Sequence, residues 1–159
     1  MKGESMSERD DEMMKLYSQR ILALAASIPH ADRLDAPMAS VTKRSPLCGS
    51  TVTVDLDVED GRITRFGQDV KACALGQSSA SVFAGQVIGL TLEEARAGRD
   101  ALRAMLKEDG PVPPAPFDGY AALEPARAYR NRHASILLVP DATVAAMEEL
   151  AGKKIAATS

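Results

Sequence analysis

The chain has 159 residues, enough for one domain with a hydrophobic core, and its 45% hydrophobic and 26% charged residues are ordinary for a globular protein. Its formal net charge of −3 argues against a general nucleic-acid binder, which needs a basic face. It has no apolar run of about 18 residues, and its polar N-terminus lacks the apolar segment of a signal peptide. We therefore predict a cytoplasmic protein without a membrane span.

The first predicted element is an amphipathic helix. Apolar residues recur at helical spacing from Met14 to Ile28, and Pro29 ends the run. Residues 1–14 are predicted to be a flexible lead-in to this helix. Residues 29–47 contain three prolines and several turn-forming residues, so we predict a long ordered loop there.

A β-hairpin is predicted next. Apolar residues alternate with threonine and aspartate over residues 51–58, which predicts a strand with one buried face. The dipeptide Asp60-Gly61 is a strong signal for a tight turn. Residues 62–69 then return antiparallel, and a break in their alternation predicts a bulge or twist near Gly67.

Two helices are predicted after the hairpin. Cys73 precedes a run of small residues, "ALGQSSAS", and we predict a helix that packs very closely against another element and ends at Gly89. Thr91 and Glu94 have the spacing of a capping box, which predicts a second helix as far as about Glu108. Strands followed by helices indicate an α+β fold.

The last third of the chain begins with "PVPPAPFDG", for which a surface loop is favoured over a polyproline ligand for a partner. Two further segments, "YAALEPARAYR" and "HASILLVPDATVAAMEEL", are predicted to be helical, with Pro140 ending or restarting a helix. Residues 151–159 are predicted to be a flexible tail. No internal repeat is present.

The residues best suited to bind a metal ion or to react are Cys48, Cys73 and His133. Cys73 lies just before a predicted helix, whose free N–H groups lower the pKa of a thiol. Two thiolates and an imidazole suit zinc or an iron–sulfur cluster. No CxxC pair is present, so the residues alone favour two buried structural cysteines over a metal site. A disulfide between the two cysteines is not expected in a reducing compartment.

Other candidates are weaker. The serines of "GQSSAS" have no Ser-His-acid order, so close helix packing is favoured over catalysis. His30 follows a proline at a helix end and is predicted to be a surface residue. For Arg127, Arg130 and Arg132, a solvated helix end is favoured over a phosphate site.

The order of the motifs, "SPLCGS" before a strand, then a hairpin, then "VKACALGQSSAS", resembles the iron–sulfur cluster scaffold family typified by IscU, SufU and the N-terminal part of NifU. The resemblance covers nearly the whole chain. It implies an α+β fold in which helices pack on a small three-stranded antiparallel sheet. It also implies that residues 15–150 form a single domain.

In that family three cysteines and an aspartate hold a nascent cluster or a zinc ion. By the resemblance, Cys48 matches the first cysteine and Cys73 the second. His133 stands at the position of the third cysteine, and Ser50 at that of the aspartate. The resemblance therefore implies a transient iron–sulfur cluster or a zinc ion at Cys48, Cys73 and His133.

The implied function is an assembly scaffold and carrier, not an enzyme. Sulfur would come from a cysteine desulfurase, and the cluster would pass to recipient apo iron–sulfur proteins, without nucleic acid or membrane. Arg130 and Arg132 would favour a thiolate or cluster, or face an acidic partner. The alternative is a divergent member that binds zinc or a desulfurase partner as an adaptor or regulator, which Ser50 and His133 support.

Overall fold

The computed structural model describes residues 19–46 and 49–158, with side chains as far as residue 153. This part of the chain has the predicted α+β fold, a three-stranded antiparallel sheet with helices packed on it. No helix within it is long and apolar enough to cross a membrane. The elements in chain order are helix α1 (residues 19–25), strands β1 (Ala39–Arg44), β2 (Thr51–Glu59) and β3 (Arg62–Lys71), helices α2 (Ala74–Ala84) and α3 (Leu92–Lys107), 3-10 turns at Asp118–Ala128 and Arg130–Arg132, and helix α4 (His133–Thr158).

The β2–β3 hairpin lies where the sequence predicts it. Asp60 and Gly61 form its turn with φ values of 53° and 77°, the left-handed conformation that this two-residue hairpin turn requires. The prediction of a bulge near Gly67 is wrong, because the register shift directly follows Asp57, close to the turn. Gly67 instead leaves room for a loop, since a Cβ there would collide with the backbone carbonyl of Asp32.

Strand β1 is the main element that the loop prediction for residues 29–47 missed. It pairs antiparallel with β2, from Ala39 opposite Leu56 to Arg44 opposite Thr51. Ala39 is its only buried side chain, so the strand carries almost no hydrophobic alternation. Hydrogen bonding to β2, rather than its own side-chain pattern, makes this segment an edge strand.

The loop before β1 is held on the sheet by Asp55 of β2. The Asp55 carboxylate is buried and accepts hydrogen bonds from Arg33 Nε (2.6 Å), Ser40 Oγ (2.6 Å) and the Leu34 N–H (3.0 Å). Burial acts to raise the pKa of Asp55, but the Arg33 guanidinium and the other donors outweigh it and lower the pKa below its ordinary value. The outer face of the sheet is therefore covered at this point.

Helices α1 and α2 are both shorter than predicted within the described residues. The chain is helical over residues 19–25, where Ile21 is buried, while residues 14–18 lie outside the described part of the chain. Helix α2 ends at Ala84 rather than at Gly89, and Val87 is buried in the turn that follows it.

Helix α3 begins with the predicted capping box. Thr91 Oγ1 accepts a hydrogen bond from the Glu94 N–H (3.2 Å), and Glu94 Oε1 accepts one from the Thr91 N–H (3.0 Å).

The proline-rich loop after α3 packs against the rest of the domain. Phe117 stacks on Phe83 with ring centroids 5.1 Å apart, and Gly98 leaves the space that the Phe117 ring occupies.

Helix α4 continues through Pro140, so the prediction that this proline ends or restarts a helix is wrong. Proline has no N–H, which leaves the carbonyl of Ile136, four residues earlier, without its helical partner. Ser79 of α2 donates its hydroxyl to that carbonyl at 2.5 Å, and the buried Tyr120 hydroxyl bonds to Ser79 in turn. A tertiary hydrogen bond thus replaces the missing helical one.

The helices form the second layer on the inner face of the sheet. The buried residues Val52, Val54 and Leu56 of β2 face a core shared with α2 and α4, and α3 packs outside on α4. Helix α4 crosses the sheet lengthwise. It starts where β2 begins and β3 ends, which we call the cysteine end, and it finishes near the Asp60-Gly61 turn, which we call the turn end.

Candidate functional site

The antiparallel hairpin brings two distant parts of the sequence to the cysteine end. Thr51, the first residue of β2, pairs with Lys71, the last residue of β3. The segment that leads into β2 and the segment that leaves β3 therefore emerge side by side. Cys73 lies two residues after Lys71, and Ser50 directly precedes Thr51. Cys48 lies outside the described residues.

The turn between β1 and β2 is closed by hydrogen bonds between its own backbone groups. The Ser45 N–H donates to the Ser50 carbonyl (2.8 Å), and the Gly49 N–H donates to the Ser45 carbonyl (3.0 Å). Gly49 has a φ of 72°, a conformation that a residue with a side chain rarely adopts. These bonds fix the point at which the chain enters β2.

Cys73 is the N-cap residue of α2 and carries a free, half-buried thiol. Burial acts to raise the pKa of this thiol. The Gly76 N–H, the Ser135 hydroxyl, the Leu75 N–H and the positive charge of Arg132 together outweigh burial and lower the pKa below its ordinary value. The arrangement therefore favours the thiolate, the form that attacks sulfur and binds metal ions.

Ser135, which sequence reasoning does not single out, joins the two sides of the site. Its Oγ lies 3.6 Å from Cys73 Sγ and 3.0 Å from Ser50 Oγ, and both serines are buried. A hydroxyl has one hydrogen, so Ser135 can donate either to Ser50 or to an ionised Cys73. When Cys73 is a thiolate, Ser135 can donate its hydrogen to the sulfur instead of to Ser50. No local sequence signal distinguishes this serine from others in a helix.

Gly76 makes the approach of Ser135 to Cys73 possible. It is buried in the first turn of α2, and a Cβ there would lie 2.5 Å from Ser135 Oγ and 2.8 Å from the Cβ of Ala72. Any side chain at this position would push α2 away from the start of α4. The predicted close packing of the small-residue helix is thus observed next to Cys73.

His133 is buried at the first position of α4, and its ring is held by a backbone group. Its Nε2 lies 3.0 Å from the carbonyl oxygen of Ala126. Because a carbonyl oxygen can only accept, Nε2 carries the hydrogen, and Nδ1 is the nitrogen whose lone pair can bind a metal ion when the ring is neutral. No hydrogen bond joins His133 to Cys73 in the described part of the chain. The site predicted at Cys48, Cys73 and His133 stays a prediction, since Cys48 is outside that part.

The described residues contain no group of three or more His, Cys, Asp or Glu side chains placed to hold a metal ion. In donor chemistry, Cys73 fits a soft metal or a cluster, and the Nδ1 of His133 fits zinc or iron. The Ser50 hydroxyl is a poor ligand at neutral pH and is already bonded to Ser135. Of the residues seen, Cys73 and His133 therefore suit the group that the family resemblance implies.

The remaining candidates have structural roles. Ser78 Oγ donates to the Ile21 carbonyl at 2.7 Å, so with Ser79 the serine run ties α2 to α1 and α4, as its small-residue pattern predicts. Arg127 does not form a basic cluster with its neighbours, because its guanidinium bonds to the carbonyls of Met105 (2.8 Å) and Gly110.

Comparisons with known proteins identify the family. The family model of the NifU-like N-terminal domain matches residues 16–129. The chain is 32% identical over 79 residues to the iron–sulfur cluster assembly scaffold protein IscU of Thermotoga maritima, a match that spans 50% of this chain and 56% of that relative's length.

One solved structure supports the same family, and a second shares the fold. The structure of the N-terminal part of a nitrogen-fixing NifU-like protein from Brucella abortus is similar, with 47% identity and a TM-score of 0.85 over 89% of this chain and 99% of that one. A putative scaffold protein for the SUF system from Fervidobacterium islandicum has a TM-score of 0.71 at 18% identity, over 80% of this chain and 93% of that one, and so shares the fold. The chain belongs to the family of NifU-like N-terminal domains.

Proposed function

We propose that this protein is a scaffold and carrier for iron–sulfur cluster assembly and has no catalytic turnover of its own. A matched relative bears the name of an iron–sulfur cluster assembly scaffold protein, and the family model covers most of the chain. The observation that carries the proposal is the thiol of Cys73. It is free, half buried and surrounded by groups that stabilise its thiolate.

The first proposed step is sulfur transfer from a cysteine desulfurase. The Cys73 thiolate attacks the outer sulfur of a persulfide on the desulfurase. A new S–S bond forms at Cys73, the old S–S bond breaks, and the desulfurase cysteine leaves as a thiolate. No electrons are gained or lost overall in this exchange. Conversion of the transferred sulfur to sulfide then takes two electrons, which a dithiol supplies.

The cargo is a nascent iron–sulfur cluster, or zinc in its absence, and we propose Cys48, Cys73 and His133 as its ligands. The bond from His133 Nε2 to Ala126 supports this role for His133. Ligating histidines usually donate their second ring nitrogen to a carbonyl or carboxylate, which fixes the ring and frees the other lone pair. The finished cluster would pass to recipient apo iron–sulfur proteins, in the cytoplasm.

The test is anaerobic reconstitution of the full chain with ferrous iron, cysteine, a cysteine desulfurase and dithiothreitol. Iron and acid-labile sulfide per protein are measured, together with visible absorption. We expect stoichiometric iron and sulfide in the wild type, and at least about a tenfold loss in Cys73→Ser and Cys48→Ser. Ala121→Ser, at an exposed position of a 3-10 turn, is the control and should behave as wild type.

The chain contains only two histidines, so substitution of His30 is a matched control for substitution of His133. His133→Ala should lose cluster retention, whereas His30→Ala, at an exposed position, should not. Bound zinc without iron and sulfide in the wild type would contradict the scaffold and favour the adaptor or regulator. A normal cluster in Cys73→Ser would contradict the assignment of that ligand.

A further inference from the structure

Most positively charged side chains of the described residues are paired with carboxylates. Outside the cysteine end, eight of them form ion pairs, while the exposed Arg20 and Lys107 form none among the described residues. Representative contacts are Arg96 Nη2 to Glu148 (2.8 Å) and Lys153 Nζ to Glu149 (3.2 Å). The eight are Arg33, Arg62, Arg65, Arg96, Arg99, Arg103, Arg127 and Lys153.

The cysteine end carries five further positive side chains, which we call the basic rim. Its members are Lys43, Arg44, Lys71, Arg130 and Arg132. None of the five forms an ion pair with any carboxylate in the described residues. Four are exposed, and Arg132 is half buried. Five positive side chains without carboxylate partners make the cysteine end of the described structure locally positive, although the chain has a net charge of −3.

The sheet register explains why two of these charges lie on the same face, one on each side of Thr51, with a third in the next row. Arg44 of β1 and Lys71 of β3 both pair with Thr51, so they flank the first residue of β2 on the same face. Lys43 pairs with Val52 in the next row, on the opposite face. The nearest carboxylate along β3 is Asp69, which acts on Arg33 and forms no ion pair with a rim residue in the described chain.

The two arginines complete the rim from the helical side. Arg130 and Arg132 lie in the 3-10 turn that leads directly into α4, whose first turn contacts Cys73 through Ser135. The charge of Arg132 acts on the Cys73 thiol itself. Arg132 therefore lies close to the thiol that would receive sulfur, and the other members of the basic rim lie at the same end of the sheet.

We propose that the basic rim is the docking surface for an acidic face of the protein that delivers sulfur to Cys73. This inference rests on the proposed function. Sulfur exchange requires two sulfur atoms to touch, so the donor protein must cover the cysteine end. An unpaired positive rim repels a basic surface and attracts an acidic one, mainly by raising the rate of association. The net negative charge of the chain makes a polyanion such as nucleic acid a poorer occupant.

The test measures the dissociation constant between the full chain and a purified cysteine desulfurase at 50 mM and 300 mM NaCl. We expect Arg44→Glu/Lys71→Glu to raise the constant about tenfold at 50 mM, and less at 300 mM, because salt screens exposed charges. The control, Lys107→Glu/Lys153→Glu, changes the net charge equally at exposed positions outside the rim. It should raise the constant less than about twofold.

Three outcomes would overturn the rim as a docking surface. These are equal weakening by both double variants, no weakening by the rim variant, and no binding of the wild type to the desulfurase. Rim-dependent binding of single-stranded DNA or of anionic vesicles, with no binding to the desulfurase, would also overturn it. Reconstitution with inorganic sulfide in place of the desulfurase tests the scaffold function without docking. When one of the overturning outcomes is seen, a normal cluster formed with inorganic sulfide shows that the scaffold function stands and that only the docking surface is wrong.

Discussion

The two ends of the sheet are built in different ways. The turn end is assembled largely from neighbours in the sequence: a two-residue turn at Asp60-Gly61 and a capping box four residues long at Thr91. The cysteine end joins Ser50, Cys73 and Ser135, of which Ser50 and Ser135 are 85 residues apart. The turn end depends on local structure, whereas the cysteine end exists only once α2 and α4 have packed together.

Charge and surface differ between the two ends as well. The turn end has a mostly apolar groove of about 550 Å³ between Met38, Leu92 and Met147, and ion pairs such as Arg62 with Glu94 (3.6 Å) lie nearby. The cysteine end has a polarised thiol and positive side chains without carboxylate partners among the described residues. The turn end therefore combines neutralised charge with apolar side chains, whereas the cysteine end combines exposed charge with a thiol whose pKa is lowered.

Among the substitutions that test the difference between the two ends, Gly76→Val is expected to have the largest effect. The added side chain would force α2 and α4 apart at the cysteine end, since even a Cβ would lie 2.5 Å from Ser135 Oγ. We expect a loss of about 3 kcal/mol in the free energy of unfolding, measured by urea denaturation, together with loss of reconstituted iron.

Gly152→Val is the matched control at the other end of α4. A Cβ at position 152 meets nothing within 4 Å, so the free energy of unfolding should change by less than about 1 kcal/mol. Equal losses from the two substitutions would show that the close approach at Gly76 is not special.

Asp55→Asn should lower stability without changing either end. The substitution removes the charge that Arg33, Ser40 and Leu34 bind, and we expect a loss of about 2 kcal/mol at pH 7. The folded-state pKa of Asp55 is lowered, so its contribution is fully present above the unfolded-state pKa and disappears as pH falls through the folded-state pKa. The difference between wild type and variant should therefore shrink below about pH 4.

The control for this prediction is Asp100→Asn. Its carboxylate also pairs with an arginine, Arg99, at 2.7 Å, but its side chain is 61% exposed. The expected loss is below about 0.5 kcal/mol. Reconstituted iron should stay at the wild-type level in Asp55→Asn, and a loss there would mean that Asp55 supports the cysteine end after all.

The smallest predicted effect is that of Ser135→Ala on the reactivity of Cys73. In a Cys48→Ser background Cys73 is the only cysteine, so its alkylation by iodoacetamide can be followed alone. Removal of the Ser135 hydroxyl takes away one of the groups that lower the pKa of Cys73. We expect the pH profile of alkylation to move to higher pH, with a rate about threefold lower at pH 7.

Ser81→Ala in the same helix and the same background is the control. Its hydroxyl donates to the Ser27 carbonyl at 3.5 Å and does not contact Cys73. An unchanged pH profile for Ser135→Ala, or an equal shift for Ser81→Ala, would show that the Ser135 hydroxyl does not specifically lower the pKa of Cys73.

The sequence by itself determined the elements whose signals are local. Alternation and the Asp60-Gly61 dipeptide predicted the hairpin, and the spacing of Thr91 and Glu94 predicted the start of α3. The motif order around Cys48 and Cys73 indicated the family. These features could be predicted because turns, caps and strand alternation depend on residues within a few positions of one another.

Only the tertiary structure decided the rest. Strand β1 forms because β2 offers it partners, and α4 continues through Pro140 because Ser79 bonds to the carbonyl that proline leaves free. Ser135 reaches Cys73 because Gly76 has no side chain, and part of the basic rim forms because the sheet register places Arg44 and Lys71 on either side of Thr51. The contacts of Ser79, of Ser135 and of the rim join residues that are far apart in the sequence, and β1 lacks the hydrophobic alternation of a strand, so no local pattern encodes these features.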